Sequence, residues 1–569
     1  MPRPLARKRE RFATECISHS TFFLSCAFLT FDHGDSLIQS SSLTGGLVPH
    51  CPPRNLLVSN THYPGRPRRE LCCCGKHMNS TDNAFPLMLS NFENYAFRDD
   101  SAEHPMVIVL RTPFEGCLDQ SAFRQALTDT LLENPLLRAV VDDSGWCTKW
   151  RLLENQEPRL EIVSYDSDHP PLHCPLRKID LRNEAGVEFC LRLCSDRGVL
   201  ITYLHHACVD GIGAIRFIGD LFARYGNLTA VSADERPIVR CPNPQLLLAR
   251  STTKMPGNSH ERRAPICHTL MEAGRLFLRK SYALLGKPTA SPAVAGKQQV
   301  NDIMTTRVLS RTVLKRLRKV AQSKGVTTND LCMMVFLQQI ARWSSSDPAA
   351  KNSDLFRILM PVSMRNPNHD RISAANIVSY VFHSFRRGEI LSSESLLKAI
   401  HEKSYQMLNR NEAAAMLHGF ALSRWIPGLF RLSQLAQKNF ASAVMTNVGE
   451  VRRIFQNRFP LRHGRAVAGN IVIQRIDGVA PTRENTNITM AFGTYGGELI
   501  MHLNRNTRLF SSADAHELLQ TVADGLTELA ATNTNQTVER DVELSTAEIR
   551  NLPPKLSAPS TASLVHKPD

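Results

Sequence analysis

The sequence predicts a mixed α/β protein built as two lobes. The chain has 569 residues, more than one ordinary hydrophobic core serves. Its apolar residues alternate between period-two runs, as in strands, and stripes at helical spacing. The pattern lapses between about residues 231 and 300, where Pro, Arg and Ser accumulate, so the periodic segments fall into two groups.

Residues 1–77 differ from the rest. They are rich in Ser, Pro, Arg and Cys and show no sustained period. They predict a disordered arm or an extension ahead of a true start at Met78. Within them, Thr21 to Phe31 (TFFLSCAFLTF) has the length of a signal-peptide core, but Asp32-His33-Gly34-Asp35 follows in place of small cleavage-site residues.

The first lobe is expected over 78–230. Met106–Leu110 is a short apolar strand, and Leu118–Glu133 an amphipathic helix closed by Pro135. Val187–Cys194 and Gly198–Leu204 are strands, and Ile212–Tyr225 is a helix with Ile212, Ile215, Ile218, Leu221, Phe222 and Tyr225 on one face. Residues 231–300 form a linker with one bridging helix at His268–Leu285. The second lobe spans 301–535. It holds a basic helix at Ser310–Lys324, an apolar helix at Leu331–Trp343 capped by Thr328 or Asn329, and strands at Phe356–Pro361, Ile377–Phe382, Ala468–Gln474, Asn487–Ala491 and Leu499–Leu503. Ala513–Ala531 closes the lobe as a helix, and residues 536–569 read as a loose tail.

Net charge is +15, with no aromatic-rich basic patch, so nucleic acid is not an expected partner. The charge suits a phosphate-bearing ligand or a peripheral contact with an acidic membrane surface. No run of about twenty apolar residues occurs. The fifteen cysteines lack paired metal spacing and a chain this long needs no disulfide framework, so reduced thiols in the cytoplasm are expected.

The chemistry concentrates in Leu204-His205-His206-Ala207-Cys208-Val209-Asp210-Gly211, where a strand runs in and a helix leaves. Strand-end loops commonly carry catalytic groups. A neutral imidazole with an ordinary pKa near 6.5 takes up a proton near pH 7. Asp210 is expected to fix the loop by an ion pair, and Gly211 to allow a tight turn into the helix. A metal site fits poorly, since adjacent strand residues point to opposite faces. A dinucleotide site also fits poorly: Gly211-Ile212-Gly213 has Arg216 where a third glycine belongs. No G-x-S-x-G occurs, against a serine hydrolase.

HHACVDG resembles the HHxxxDG signature of the condensation-domain superfamily of thioester-dependent acyltransferases, and is closest in feel to free-standing alcohol acyltransferases and wax ester synthases. Further segments are similar to that superfamily: Leu87–Glu93 to its opening, Glu133-Asn134-Pro135-Leu136-Leu137-Arg138 to its "HPxLR" segment with Asn134 replacing histidine, and Gly325–Leu331 to its "GvTvndv". Met360–Arg365 followed by Asn376 resembles "PVSlR … GN", and Thr446-Asn447-Val448-Gly449 resembles "SNxG". The resemblance runs from about Pro86 to Leu529, and no adenylation or carrier domain accompanies it.

The resemblance implies two chloramphenicol-acetyltransferase-like lobes arranged as a V with a central channel. It implies transfer of an acyl group from acyl-CoA or a phosphopantetheinyl carrier to a hydroxyl of a small-molecule or lipid acceptor. His206 would be the general base, supported by His205, Asp210 and Gly211. Asn447 and Gly449 would contact substrate, and no bound cofactor, metal or acyl-enzyme is implied. Arg365 is the candidate partner of Asp210, since a buried unpaired carboxylate is costly. An amine acceptor, an acyl-carrier protein partner and a non-catalytic, acyl-binding role stay open.

Overall fold

The computed structural model describes residues 85–145, 147–153, 157–251, 280–287, 302–392, 395–409, 412–414, 416–417 and 440–550. The expected arm at 1–77 lies outside them, as does most of the expected bridging helix; its last residues, from Lys280, are not helical.

Two large sheets organise the described residues, beside a small one of Leu87–Met88, Lys149–Leu152 and Ala139–Asp142. The first centres on Val107–Glu115 and Arg197–His205, paired antiparallel, with Val187–Leu193 and Leu160–Ser164 continuing on one side. Their alternating Val, Ile, Leu and Phe suit strands buried on both faces. The helices Gln120–Leu132 and Gly211–Thr229 pack on each other beside this sheet. Asp119 caps the first by accepting from the N–H groups of Ser121 and Ala122.

The second sheet runs Val378–Arg386, Leu355–Ser363, Ala443–Glu450, Ile488–Tyr495, Glu498–Arg505, Met304–Leu309. The helices Arg311–Ser323, Thr328–Trp343 and Ser512–Arg550 belong to its apolar core. Thr327, rather than Thr328 or Asn329, caps the apolar helix, in a reciprocal pair with Asp330. The closing helix continues to Arg550, well into the stretch expected to be a loose tail. No Gly or Pro interrupts the chain between Gly525 and Pro553, so nothing in the sequence breaks the helix earlier.

One expected placement is corrected. The strand foreseen at Ala468–Gln474 was assigned to the second lobe. Instead Arg465–Ala468 and Ile471–Ile473 extend the first sheet, and Asp477–Val479 pairs with Val107–Glu115 as well. The reason is chemical as well as apolar. Asp477 is fully buried beside Arg111 of the first sheet, at 2.9 Å, and Arg111 also donates to Thr306 of the second sheet at 3.0 Å. Burial raises the Asp477 pKa, but Arg111, His502 and Arg475 outweigh it and hold the group below the ordinary carboxylate range. A second buried carboxylate, Asp220 of the helix Gly211–Thr229, accepts from Arg240 at 2.6 Å and from Arg458 at 2.9 Å. The crossing segment is thus tied to both the first-sheet helix and the chain that leaves it.

Candidate active site

The motif sits where the strand Arg197–His205 ends and the helix Gly211–Thr229 begins. Asp210 is the N-cap, in extended conformation, and its Oδ1 accepts from the Gly213 N–H at 2.8 Å. A carboxylate there also faces the positive end of the helix dipole. Its other oxygen accepts from Arg365 Nη1 at 2.6 Å and from the Ile377 N–H at 2.8 Å. The structure therefore brings Arg365 to Asp210. Burial acts to raise the Asp210 pKa, and the Arg365 guanidinium with the two backbone donors reverses this, holding it below the usual carboxylate range.

The segment Ser373–Ile377 of the second half templates the motif loop. Asn376 Nδ2 donates to the carbonyls of His206 and Ala207. Ala375 O accepts from Arg365 Nη2 at 3.0 Å. Asn134, where the resemblance placed a variant histidine, is fully buried and accepts from the Ala374 N–H at 2.7 Å. So the helix of the first lobe, the motif and this loop are fixed by side-chain-to-backbone bonds, which hold main-chain position without depending on loop propensity. Asn376 and Asn134 had no role assigned from sequence; the signal was that both fall inside recognised segments and are short, polar and flanked by apolar residues.

The two histidines differ. His205 is buried, its Nδ1 accepts from the Ala207 N–H at 3.1 Å, and its Nε2 is 3.7 Å from Asp100. An acceptor at Nδ1 places the proton on Nε2, facing that carboxylate. His206 is 8% exposed and its ring lies 5.5 Å from the ring of Phe92. Phe92 in turn meets Tyr380 edge-on at 5.3 Å. The His206 Nδ1 has no well-formed hydrogen bond, and the nearby backbone of His206 and Val209 only partly favours a proton. Burial dominates and lowers the His206 pKa below the ordinary imidazole range, so the neutral, proton-accepting form prevails at pH 7. Neither Phe92 nor Tyr380 was singled out in the sequence, because an aromatic among apolar residues looks the same whether it packs a core or a cavity.

The glycine expectations are corrected in part. Gly211 is the first helical residue and has no positive φ; a Cβ there would meet only Val448 Cγ1, at 3.9 Å. No tight turn demands it. Gly213 is the crowded position, where a Cβ would lie 2.7 Å from Val209 Cγ2 and 3.0 Å from Ala375 O. Asn447 is exposed, and its side chain donates to Asn329 at 3.0 Å and accepts from the Gly449 N–H at 2.9 Å. Neither bond is to the motif. Gly449 is exposed, with φ +73. The residue of this segment that approaches the motif is Val448.

No family model matches the chain, and no curated protein matches it in sequence. Solved structures do match in shape. A trichothecene 15-O-acetyltransferase, TRI3 from Fusarium sporotrichioides, aligns at TM-score 0.54 and 11% identity over 78% of this chain and 94% of its own. SgcC5 from Streptomyces globisporus aligns at 0.53 and 14%, over 78% and 99%. The starter condensation domain of rhizomide synthetase, solved with C8-CoA and Leu-SNAC, aligns at 0.53 and 12%, over 80% and 97%. The fold resembles the one these structures share. At these identities the likeness is one of two-domain α/β architecture. Within it, the described residues contain no cluster of three or more His, Cys, Asp or Glu able to hold a metal, and no helix long and apolar enough to cross a membrane.

Proposed function

We propose that this chain transfers an acyl group from a thioester, either acyl-CoA or a phosphopantetheinyl carrier, to a hydroxyl acceptor, with His206 as general base. The observation that supports it is His206 itself. A neutral imidazole with a lowered pKa stands on a loop fixed from both lobes, against the aromatic face of Phe92. In this reading the acceptor enters a channel between the lobes of a V. His206 takes the hydroxyl proton as the oxygen attacks the thioester carbonyl. The tetrahedral intermediate collapses, the C–S bond breaks, and the thiolate leaves with the proton held by His206. The products are an ester and a free thiol, and the imidazole returns to its neutral form. Much of the acceleration comes from holding both reactants in line. Asp210 and Arg365 touch neither reactant and act as positioning residues. A hydroxyl acceptor is favoured by the Thr446–Gly449 resemblance and by the O-acetyltransferase among the structural matches.

The test is thiol release from a panel of acyl-CoAs with hydroxyl and amine acceptors. His206→Ala should lower turnover by roughly two to four orders of magnitude while leaving the folded spectrum unchanged. Equal turnover in the variant removes the base role. A product formed only with amines replaces ester by amide, and no thiol release from any thioester favours a non-catalytic, acyl-binding chain.

A further inference from the structure

The helix Asn91–Arg98 brings two groups to the motif. Near its start, Phe92 sets its ring 5.5 Å from that of His206. Just past its end stand two consecutive carboxylates, Asp99 and Asp100. Neither falls in a segment that carries the resemblance.

The helix is anchored at both ends. Ser90 and Glu93 cap its start reciprocally, and the buried Glu93 also accepts from Trp150 Nε1 at 3.0 Å and from Arg250 Nε at 2.6 Å. At its end, Asp99 accepts from the Tyr95 hydroxyl at 3.1 Å and from Arg483 Nε at 2.6 Å. Arg483 lies between Asp477–Val479, which pairs in the first sheet, and Ile488–Tyr495 of the second. The helix end is therefore tied to the chain that passes from one sheet to the other.

Asp100 reaches the motif. Its Oδ1 accepts from the Met106 N–H at 2.9 Å, and the Met106 carbonyl accepts from the His206 N–H at 2.6 Å. Met106 stands one residue beyond the ladder pair of Val107 with His205, so its bond to His206 carries the pairing one step past the strand end. Residues at the end of a ladder open most readily unless something else holds them. A carboxylate is a strong acceptor for a backbone N–H, and the Asp100 side chain is only 11% exposed. The same oxygen lies 3.7 Å from His205 Nε2, and the other lies 3.7 Å from the exposed Lys178. Of these three contacts only that to Met106 is of hydrogen-bond length.

We infer that Asp100 is a positioning residue for the acyl transfer proposed above. Through Met106 it fixes the main chain of His206, while Phe92 of the preceding helix bounds the ring. The inference rests on His206 as the base and deepens that reading. Arg365 and Asn376 hold the motif loop from the second half of the chain. Asp100 holds it from the first lobe, at the residue that carries the base. A base displaced by about 1 Å loses on the order of a hundred-fold in rate.

The experiment uses the full chain with the acyl-CoA and alcohol that give the fastest thiol release in the panel above. Asp100→Ala removes the acceptor and should lower kcat by roughly ten- to a hundred-fold, with KM changed by less than about two-fold. Asp100→Asn keeps an oxygen at the same reach and should restore kcat to within about five-fold of the wild type. Lys178→Gln should leave kcat unchanged. An unchanged kcat in Asp100→Ala overturns the inference. So does an equal fall in Asp100→Asn or Lys178→Gln, which would make charge rather than the Met106 bond responsible, or a rise in KM that matches the fall in kcat. Amide hydrogen exchange in the wild type needs no variant to fold: Met106 and His206 should be protected by roughly a hundred-fold or more over an unfolded chain. Fast exchange at either amide overturns the inference whatever Asp100→Ala does. Failure of the base reading shows differently, as unchanged turnover in His206→Ala with both amides still protected in the wild type.

Discussion

His205 ends its strand with both ring nitrogens facing protein groups, Nδ1 on the Ala207 N–H and Nε2 toward Asp100. One residue on, the buried Nδ1 of His206 makes no well-formed hydrogen bond and the ring has an aromatic neighbour. The same side chain thus serves two purposes, set by what surrounds it. His205 is tied to main chain through Nδ1, while His206 makes no comparable bond, a difference that costs stability at the second ring. The loop from these residues to Asp210 is held from outside, by Arg365 and Asn376.

The largest way to break the contrast is to remove that hold. Arg365→Ala leaves the Asp210 carboxylate buried without its cation, and should cost about 3–5 kcal/mol, read as a fall in the denaturant midpoint at constant slope. Asp210→Asn should be milder, since Gly213 N–H and Ile377 N–H keep an acceptor. The sign with pH follows from the depressed Asp210 pKa: its stabilisation is present above about pH 4, the unfolded value, and is lost as pH falls through the folded one. Asp210→Asn should flatten that acid limb.

A smaller change separates the histidines directly. His205→Ala strands the buried Ala207 N–H and should lose about 2–3 kcal/mol of stability along with activity. His206→Ala removes no well-formed hydrogen bond, so its loss should fall on turnover with little shift in unfolding. Equal destabilisation by the two would erase the distinction. Gly213→Ala tests the same loop sterically. Its Cβ meets Val209 and Ala375 and should cost about 1–2 kcal/mol, whereas Gly211→Ala should be thermally silent.

Titration sharpens the contrast further. Because burial lowers the His206 pKa, turnover should hold as pH falls past about 6.5 and drop only as the folded pKa is reached. The neutral group also stabilises the fold above the unfolded value, and that contribution declines as pH falls toward the folded one. A rate profile with its acid midpoint above the ordinary imidazole value would contradict the burial of this ring.

Much of this was legible in sequence for a physical reason. Strand–loop–helix periodicity located the motif, and the cost of a buried carboxylate called for a cation, which the structure supplies as Arg365. The sheet joined by Ile471–Ile473 was not legible, since alternation reports that a segment is a strand but not which edge accepts it. Short elements such as Asn91–Arg98 and Ala443–Glu450 also escaped, the latter because Thr446-Asn447-Val448-Gly449 has turn composition while its first residues pair in parallel with Ile488–Tyr495. Asn376 and Asn134 act through backbone atoms far away in sequence, and no local pattern encodes such a partner.

The smallest expected effect concerns Asn447, and it decides whether that segment serves the site by hydrogen bonding or by shape. Its amide is bonded to Asn329 and to its own turn, at an exposed position. Asn447→Ala should therefore change stability by no more than about 0.5 kcal/mol. An oxyanion donor would behave otherwise, since removing one costs on the order of a hundred-fold or more in kcat. Val448→Ala should reduce kcat/KM more than Asn447→Ala does, because Val448 is the side chain beside Gly211. A large fall in kcat for Asn447→Ala with KM unchanged would mean that the amide leaves Asn329 and turns to the reacting centre when substrate binds. A fall of only a few-fold, matched by Asn329→Ala, would leave Asn447 as the residue that holds the Val448 backbone in place.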